Sequence, residues 1–210
     1  MTDTRSEYDS LAGIYLPIAI AVVVLVLGAM AFALLRYRRR EGREPSRVAS
    51  LPVVEGVYAL VLAAVVAVLM TATFRTEARV DALSDDPDLT VEVIAFQWGW
   101  RFTYPERRVT VVGNVNRPPA LFVPADSTVR FELRSRDVIH SLWIPELRFK
   151  RDAVPGRTTE FDLTFDANSV GRCAEFCGLD HAGMTFDVVA LSPSDFASWI
   201  GQRAEPARGG

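Results

Sequence analysis

Two long apolar runs constrain this chain more than any other feature. Residues 11–35 form a run of 25 residues without a charged side chain, and residues 56–74 form a second of 19 residues. A helix that crosses a membrane needs about 20 consecutive apolar residues. Both runs therefore predict transmembrane helices, spanning about 12–35 and 53–74. A cleaved signal peptide fits the first run poorly, because acidic residues precede it and its apolar part is too long.

The segment between the two runs predicts how the helices are oriented. Residues 36–47 carry six arginines and two glutamates. Short arginine-rich loops stay on the cytoplasmic side of a membrane. We therefore expect residues 1–76 to form a lipid-embedded hairpin, with both chain termini and everything after residue 76 outside the cytoplasm, in a bacterial cell membrane.

The second half of the chain has the pattern of an all-β domain, which we place at residues 77–202. Seven short stretches rich in Val, Thr, Phe and Trp alternate with Pro, Gly, Asn and Asp, which predicts an antiparallel sandwich or barrel. The segment "SPSDFASWIGQR" predicts a final helix capped by Ser192 or Ser194, and residues 203–210 a flexible tail. Residues 75–210 hold 20 acidic and 16 basic side chains, which argues against nucleic acid and permits a basic protein partner.

Potential metal ligands concentrate in one stretch, "RCAEFCGLDHAGM" at residues 172–184. It holds both cysteines, one of two histidines and the only methionine beyond residue 70. A disulfide is the plain alternative outside the cytoplasm, but it leaves His181, Met184 and the distant His140 without a role. Cys, His and Met together suit copper, whereas zinc rarely recruits Met and calcium and magnesium prefer oxygen.

The second cysteine bears on the number of copper ions. A mononuclear blue-copper site uses one Cys, two His and a weak axial Met, and would leave one cysteine over. Two thiolates can instead bridge two copper ions, each completed by one imidazole, with Met and a backbone carbonyl as weak ligands. That arrangement uses every sulfur and imidazole of the soluble half.

The motifs "CAEFCGLDHAGM", "HSLWIP", "KRDAVPGR" and "FQWGWRF", in this order after a two-helix hairpin, resemble subunit II of haem–copper cytochrome c oxidases. The resemblance extends over the entire chain. It implies a cupredoxin fold that holds the dinuclear CuA centre. The implied copper ligands are the side chains of His140, Cys173, Cys177, His181 and Met184 and the carbonyl of Glu175. Arg172, Gly99 and Thr185 depart from residues common in the family, but no ligand is lost.

The resemblance also implies a function and partners. The centre would take single electrons from cytochrome c and pass them to haem in subunit I, which with the other oxidase subunits reduces oxygen to water and translocates protons. As part of that oxidoreductase the chain alone is expected to catalyse nothing. Trp98 matches the tryptophan through which electrons arrive, although Trp98 and Trp100 could instead share one packed face of a strand.

Three acidic residues are also candidates for function, and two of them have a second interpretation. Glu175 matches a magnesium ligand at the boundary with subunit I, or is a plain loop carboxylate. Glu55 matches an acid at the mouth of a proton-uptake path, or is an interfacial residue that reaches for water. Asp137 could help to dock a basic cytochrome. The alternative function is another cupredoxin electron-transfer or copper-handling membrane protein.

Overall fold

The computed structural model describes residues 3–38, 48 and 50–204. Most of the arginine-rich loop and residues 205–210 of the predicted tail lie outside this range. Helix α1 runs over Thr4–Arg36 and helix α2 over Pro52–Val80. Their most apolar windows reach a mean hydropathy of 3.0 and 2.5, so both helices are long and apolar enough to cross a membrane. Each extends past its apolar run into polar residues.

Within the helical unit, residues 8–78, the side chain of Tyr15 joins α1 to α2. The Tyr15 hydroxyl lies 2.6 Å from Thr73 Oγ1 and 3.3 Å from the carbonyl of Leu69. A polar group in hydrocarbon is costly unless another protein group satisfies it. The contact therefore supports a paired hairpin.

The described residues of the second unit form two five-stranded sheets. The strands are β1 Leu89–Phe96, β2 Gly99–Tyr104, β3 Val109–Asn114, β4 Ala120–Pro124, β5 Val129–Ser135, β6 His140–Ile144, β7 Phe149–Ala153, β8 Thr159–Leu163, β9 Ser169–Cys173 and β10 Thr185–Leu191. One sheet has the order β3-β2-β1-β5-β8 and the other β4-β10-β9-β6-β7. The predicted sandwich is confirmed. The antiparallel expectation is wrong for two pairs, because β1 pairs with β5 and β4 with β10 in parallel.

The stretch "FQWGWRF" is a hairpin and not the single strand that its composition indicates. Gln97 and Trp98 form a two-residue turn between β1 and β2, with Phe96 opposite Gly99. Gly99 also lets β3 approach β2 closely, because a Cβ there would lie 2.2 Å from the carbonyl oxygen of Gly113. Trp98 and Trp100 therefore do not share one strand face.

The inner faces of the two sheets form one aromatic core. Phe186 packs edge-on against Trp100 and Phe102, with ring centroids 5.3 Å apart in both pairs. Gly171 in β9 leaves room for that ring, since a Cβ at this position would lie 1.9 Å from it. Burying a large apolar side chain contributes about 1.5–3 kcal/mol. The core thus fixes β9 and β10, which flank the cysteine-containing loop.

A short helix closes the described part of the domain. Helix α3 spans Pro193–Arg203, and Ser192 is its cap, accepting a hydrogen bond from the backbone N–H of Asp195. Of the two predicted caps, Ser192 is therefore the one used. Trp199 of this helix stacks on Phe122 of β4, with ring centroids 4.3 Å apart.

Candidate metal centre

Three neighbouring strands of one sheet bring the predicted ligands to the same edge. His140 is the first residue of β6, and Cys173 is the last of β9. Met184 immediately precedes β10. Strand β9 lies between β6 and β10, so all three residues meet where the loop of residues 174–183 leaves the sandwich.

The side chains of this edge form one compact cluster. The two cysteine sulfurs lie 3.8 Å apart. His140 Nδ1 lies 3.8 Å from Cys173 Sγ, and His181 Nδ1 lies 3.6 Å from Cys177 Sγ. Met184 Sδ lies 3.9 Å from Cys177 Sγ, and the carbonyl oxygen of Glu175 lies 3.2 Å from Cys173 Sγ. The fold therefore gathers all six predicted ligands in one place.

These distances suit a metal and do not suit a disulfide. Both cysteines are free and buried, and 3.8 Å far exceeds the S–S bond of about 2.05 Å. A metal–thiolate bond is about 2.3 Å long for zinc, so one ion can contact both sulfurs. Each imidazole lies beside a different sulfur, and both present Nδ1 towards it. The donor set thus fits soft metal ions held between the two thiolates.

Most of the cluster lies below the protein surface, whereas His181 is half-buried and Glu175 is exposed. His140 is fully buried, and Cys173, Cys177 and Met184 are 5%, 3% and 1% exposed. The Trp100 ring, which is also fully buried, packs 6.5 Å from the His140 ring. Apolar packing around ligands restricts solvent access and fixes their orientation.

Asp137 holds the ring of His140. Its Oδ1 lies 2.9 Å from His140 Nε2. With Nε2–H as the donor, the lone pair of Nδ1 is left facing Cys173. Partial burial opposes ionisation of Asp137, but hydrogen bonds from His140 and from the N–H groups of Gln97 and Val138 keep its pKa below the ordinary value. Burial also disfavours the charged form of His140, yet Cys173 and Asp137 outweigh it and raise the pKa of the ring.

The two thiols behave as a pair. Burial disfavours a thiolate at Cys173, but hydrogen bonds, the largest from His140, outweigh it and lower the pKa of this thiol. At Cys177, burial and the neighbouring Cys173 thiolate raise the pKa. The metal-free pair therefore favours one thiolate on Cys173, next to the imidazole that stabilises it.

Trp98 and Trp100 have different surroundings. Trp98 is half-buried in the β1–β2 turn, and its indole N–H donates to the carbonyl of Cys177 at 3.0 Å. Trp100 is fully buried, and its Nε1 lies 3.5 Å from the carbonyl of Met184. Of these two tryptophans, Trp98 is therefore the one that joins a ligand residue to a partly exposed ring. Gln97, which the sequence did not single out, donates to the same Cys177 carbonyl at 2.8 Å.

The other predicted residues have simpler settings. The residue Glu175 is exposed, while its carbonyl oxygen faces Cys173. Glu55 is in α2, within the helical unit, and its Oε1 accepts a hydrogen bond from the backbone N–H of Leu51 at 2.9 Å. That bond caps the start of α2. Arg172, a departure from the family, places its guanidinium 5.5 Å from the centre of the Trp143 ring.

Comparison with known proteins decides the family. The family model described as "Cytochrome C oxidase subunit II, periplasmic domain" matches residues 111–191. A probable cytochrome c oxidase subunit 2 from Streptomyces avermitilis is 32% identical, in an alignment covering 91% of this chain and 73% of the relative. The chain belongs to the cytochrome c oxidase subunit II family. A probable subunit 2 from Rickettsia bellii is 27% identical, over 92% of this chain and 78% of its own length.

A solved structure agrees with this membership. The periplasmic domain of cytochrome oxidase subunit II from Bradyrhizobium japonicum superposes with a TM-score of 0.52 at 28% identity, covering 58% of this chain and 96% of that domain. As a subunit II, the chain is a membrane protein of a haem–copper oxidase, a complex with other subunits, and takes part in its electron transfer. Copper is the metal that the family implies, and the His140, Cys173 and Cys177 group can bind a metal.

Proposed function

We propose that the chain holds a dinuclear copper centre, accepts single electrons from cytochrome c and delivers them to haem in subunit I, which reduces oxygen to water and translocates protons. The observation that carries this proposal is the sulfur pair 3.8 Å apart, with His140 Nδ1 beside one sulfur and His181 Nδ1 beside the other. A single ion would leave part of this paired donor set unused.

Each residue has a distinct role in this proposal. Cys173 and Cys177 would hold both ions, His140 and His181 would each complete one of them, and Met184 and the Glu175 carbonyl would be weak outer ligands. Copper, when bound, supplies a site that gains and loses one electron. The sandwich core and the Asp137 hydrogen bond hold the imidazoles and sulfurs in place, so little rearrangement is needed when the charge changes.

Two further assignments concern the surface of the centre. We propose that Trp98 is the residue through which electrons arrive, because one hydrogen bond connects its half-exposed ring to the backbone of Cys177. We also propose that Glu175 binds magnesium at the boundary with subunit I. Its carbonyl faces the cluster while the residue is exposed, and one carboxylate with waters is a typical magnesium ligand set.

Rapid mixing with a reduced c-type cytochrome tests the proposed function. Cytochrome oxidation should match bleaching of the copper absorption, with one electron accepted per pair of copper ions. A copper-loaded protein that leaves the cytochrome reduced would contradict electron transfer from cytochrome c. Protein stripped of copper is the control and should accept no electrons.

The predicted orientation can be tested by cysteine labelling in intact cells. In a background in which both native cysteines are serine, a cysteine at position 46 should resist an impermeant thiol reagent, because the arginine-rich loop is expected to be cytoplasmic. A cysteine at position 10 should react. The reverse labelling pattern would overturn the orientation, and labelling of both positions after lysis is the control.

Glu55 is proposed as a residue that feeds protons to the oxidase. Glu55→Gln keeps the side-chain oxygen that caps α2 but removes the titratable charge. Turnover of the assembled oxidase should fall to a small fraction of wild type, while reduction of the copper by cytochrome stays fast. Normal turnover would leave Glu55 with its capping role alone.

A further inference from the structure

Two side chains of the β1–β2 turn converge on one backbone carbonyl of the metal-binding loop. Gln97 Nε2 donates to the carbonyl oxygen of Cys177 at 2.8 Å, and Trp98 Nε1 donates to the same oxygen at 3.0 Å. Gly178 follows with φ of +116°, and a Cβ there would lie 3.2 Å from Gln97 Nε2. The peptide group between Cys177 and Gly178 is therefore held by these two hydrogen bonds and packs closely against both side chains.

Gln97 also contacts the other half of the cluster through its backbone. Its N–H donates to Asp137 Oδ2 at 2.8 Å, and Asp137 Oδ1 lies 2.9 Å from His140 Nε2. One residue thus joins the carboxylate that orients His140 to the carbonyl of Cys177. Asp137 and Cys177 lie 40 and 80 residues after Gln97 along the chain.

We propose that Gln97 is a positioning residue for the metal centre. Its backbone sets the His140 side, and its side-chain amide sets Cys177, so that the Cys177 sulfur stays within reach of Cys173, His181 and Met184. The inference rests on the proposed copper function. It assigns to Gln97 the role of holding the Cys177 backbone, on the same carbonyl oxygen that accepts a hydrogen bond from Trp98.

Two substitutions distinguish the effect of the hydrogen bond of Gln97 from the effect of its side-chain size. Gln97→Met keeps a side chain of similar length and removes the donor. Gln97→Glu keeps the shape but places an acceptor against the Cys177 carbonyl. Both leave the backbone N–H to Asp137 intact. Gln202→Met is the matched control, since Gln202 is exposed on α3. All variants are made in the full-length protein in detergent.

Copper loss to a strong chelator is the first measurement. One hydrogen bond has a net value that corresponds to a factor of about 2 to 12 in an equilibrium constant. Copper loss from Gln97→Met should be faster than wild type by this factor, and Gln97→Glu should lose copper at least as fast. The copper hyperfine splittings should become unequal in both variants, which a merely structural effect on folding would not produce. Wild-type rates and splittings in both variants would overturn the proposal.

The second measurement needs no metal. In the copper-free protein, hydrogen exchange at the Trp98 indole N–H should be faster in Gln97→Met, because the carbonyl that it bonds is held by one donor fewer. Unchanged exchange would overturn the proposal. If wild-type protein binds no copper, the proposed function fails. If wild type binds copper and Gln97→Met behaves like Gln202→Met, only the role of Gln97 fails.

Discussion

Replacing either Cys173 or Cys177 with serine is expected to abolish the dinuclear copper signal completely. Serine has almost the same shape as cysteine, but its hydroxyl is a poor ligand for copper compared with a thiolate. A bridge needs both sulfurs, so either single substitution should be as damaging as the pair. Copper content and the electron paramagnetic resonance spectrum of the copper-loaded protein measure this loss.

A second ligand variant, at His140, and a control variant, at Leu179, complete this experiment. His140→Ala should also damage the signal, although His140 lies 33 residues before Cys173 along the chain. Leu179→Ala should leave it unchanged, because Leu179 lies in the same loop but is 90% exposed and holds no ligand. A dinuclear spectrum that survives in Cys177→Ser would contradict the bridging role of that cysteine.

Trp98→Phe is expected to slow reduction by cytochrome by about tenfold or more, equivalent to about 1.4 kcal/mol or more in the barrier. Phenylalanine keeps an aromatic ring in the turn but lacks the N–H that donates to the Cys177 carbonyl. Rapid mixing with a reduced c-type cytochrome gives the rate, and the copper should stay bound and keep a dinuclear spectrum.

Trp143→Phe is the matched control for this variant. Trp143 is also half-buried and lies three residues after His140, but no hydrogen bond of its indole to the metal-binding loop is described. Its reduction rate should remain that of wild type. Loss of copper or of folded protein in Trp98→Phe would indicate a packing role for Trp98, and an unchanged rate would remove it from the electron route.

The sequence was sufficient to predict that these side chains cluster, because their residue types are rare in this chain. Cys173, Cys177, His181 and Met184 lie within twelve positions, so one loop can enclose them. His140 was assigned by the family resemblance and by ligand counting. The structure brings its Nδ1 to 3.8 Å from Cys173 Sγ through the pairing of β6 with β9.

Features that depend on tertiary pairing were missed. The β1–β2 turn at Gln97 and Trp98 lacks the Asn-Gly or Asp-Gly signal of a two-residue hairpin. The close approach of β2 and β3 becomes visible only in the structure, where a Cβ at Gly99 would overlap the backbone of Gly113. Strands β7 and β9 were not predicted, because their short sequences lack a clear alternation of apolar residues. The parallel pairs bring together strands distant in sequence, which local patterns do not encode.

The hydrogen-bond network around the ligands was also beyond the sequence. Asp137 was interpreted as a residue that could help to dock a cytochrome, and its contact with His140 Nε2 at 2.9 Å was not predicted. Gln97 was passed over, although it stands next to Trp98. Both roles depend on the direction of a side chain, which is set by the fold around it.

The hyperfine pattern of the copper-loaded protein is the direct test of a dinuclear copper centre. A fragment from about residue 77 to 210 should fold without a membrane, because the sandwich has its own core, and it can be loaded with copper after reduction. We expect two copper ions per chain and one unpaired electron whose signal is split equally by both nuclei. One copper ion with splitting from a single nucleus, or no copper and a Cys173–Cys177 disulfide, would contradict it.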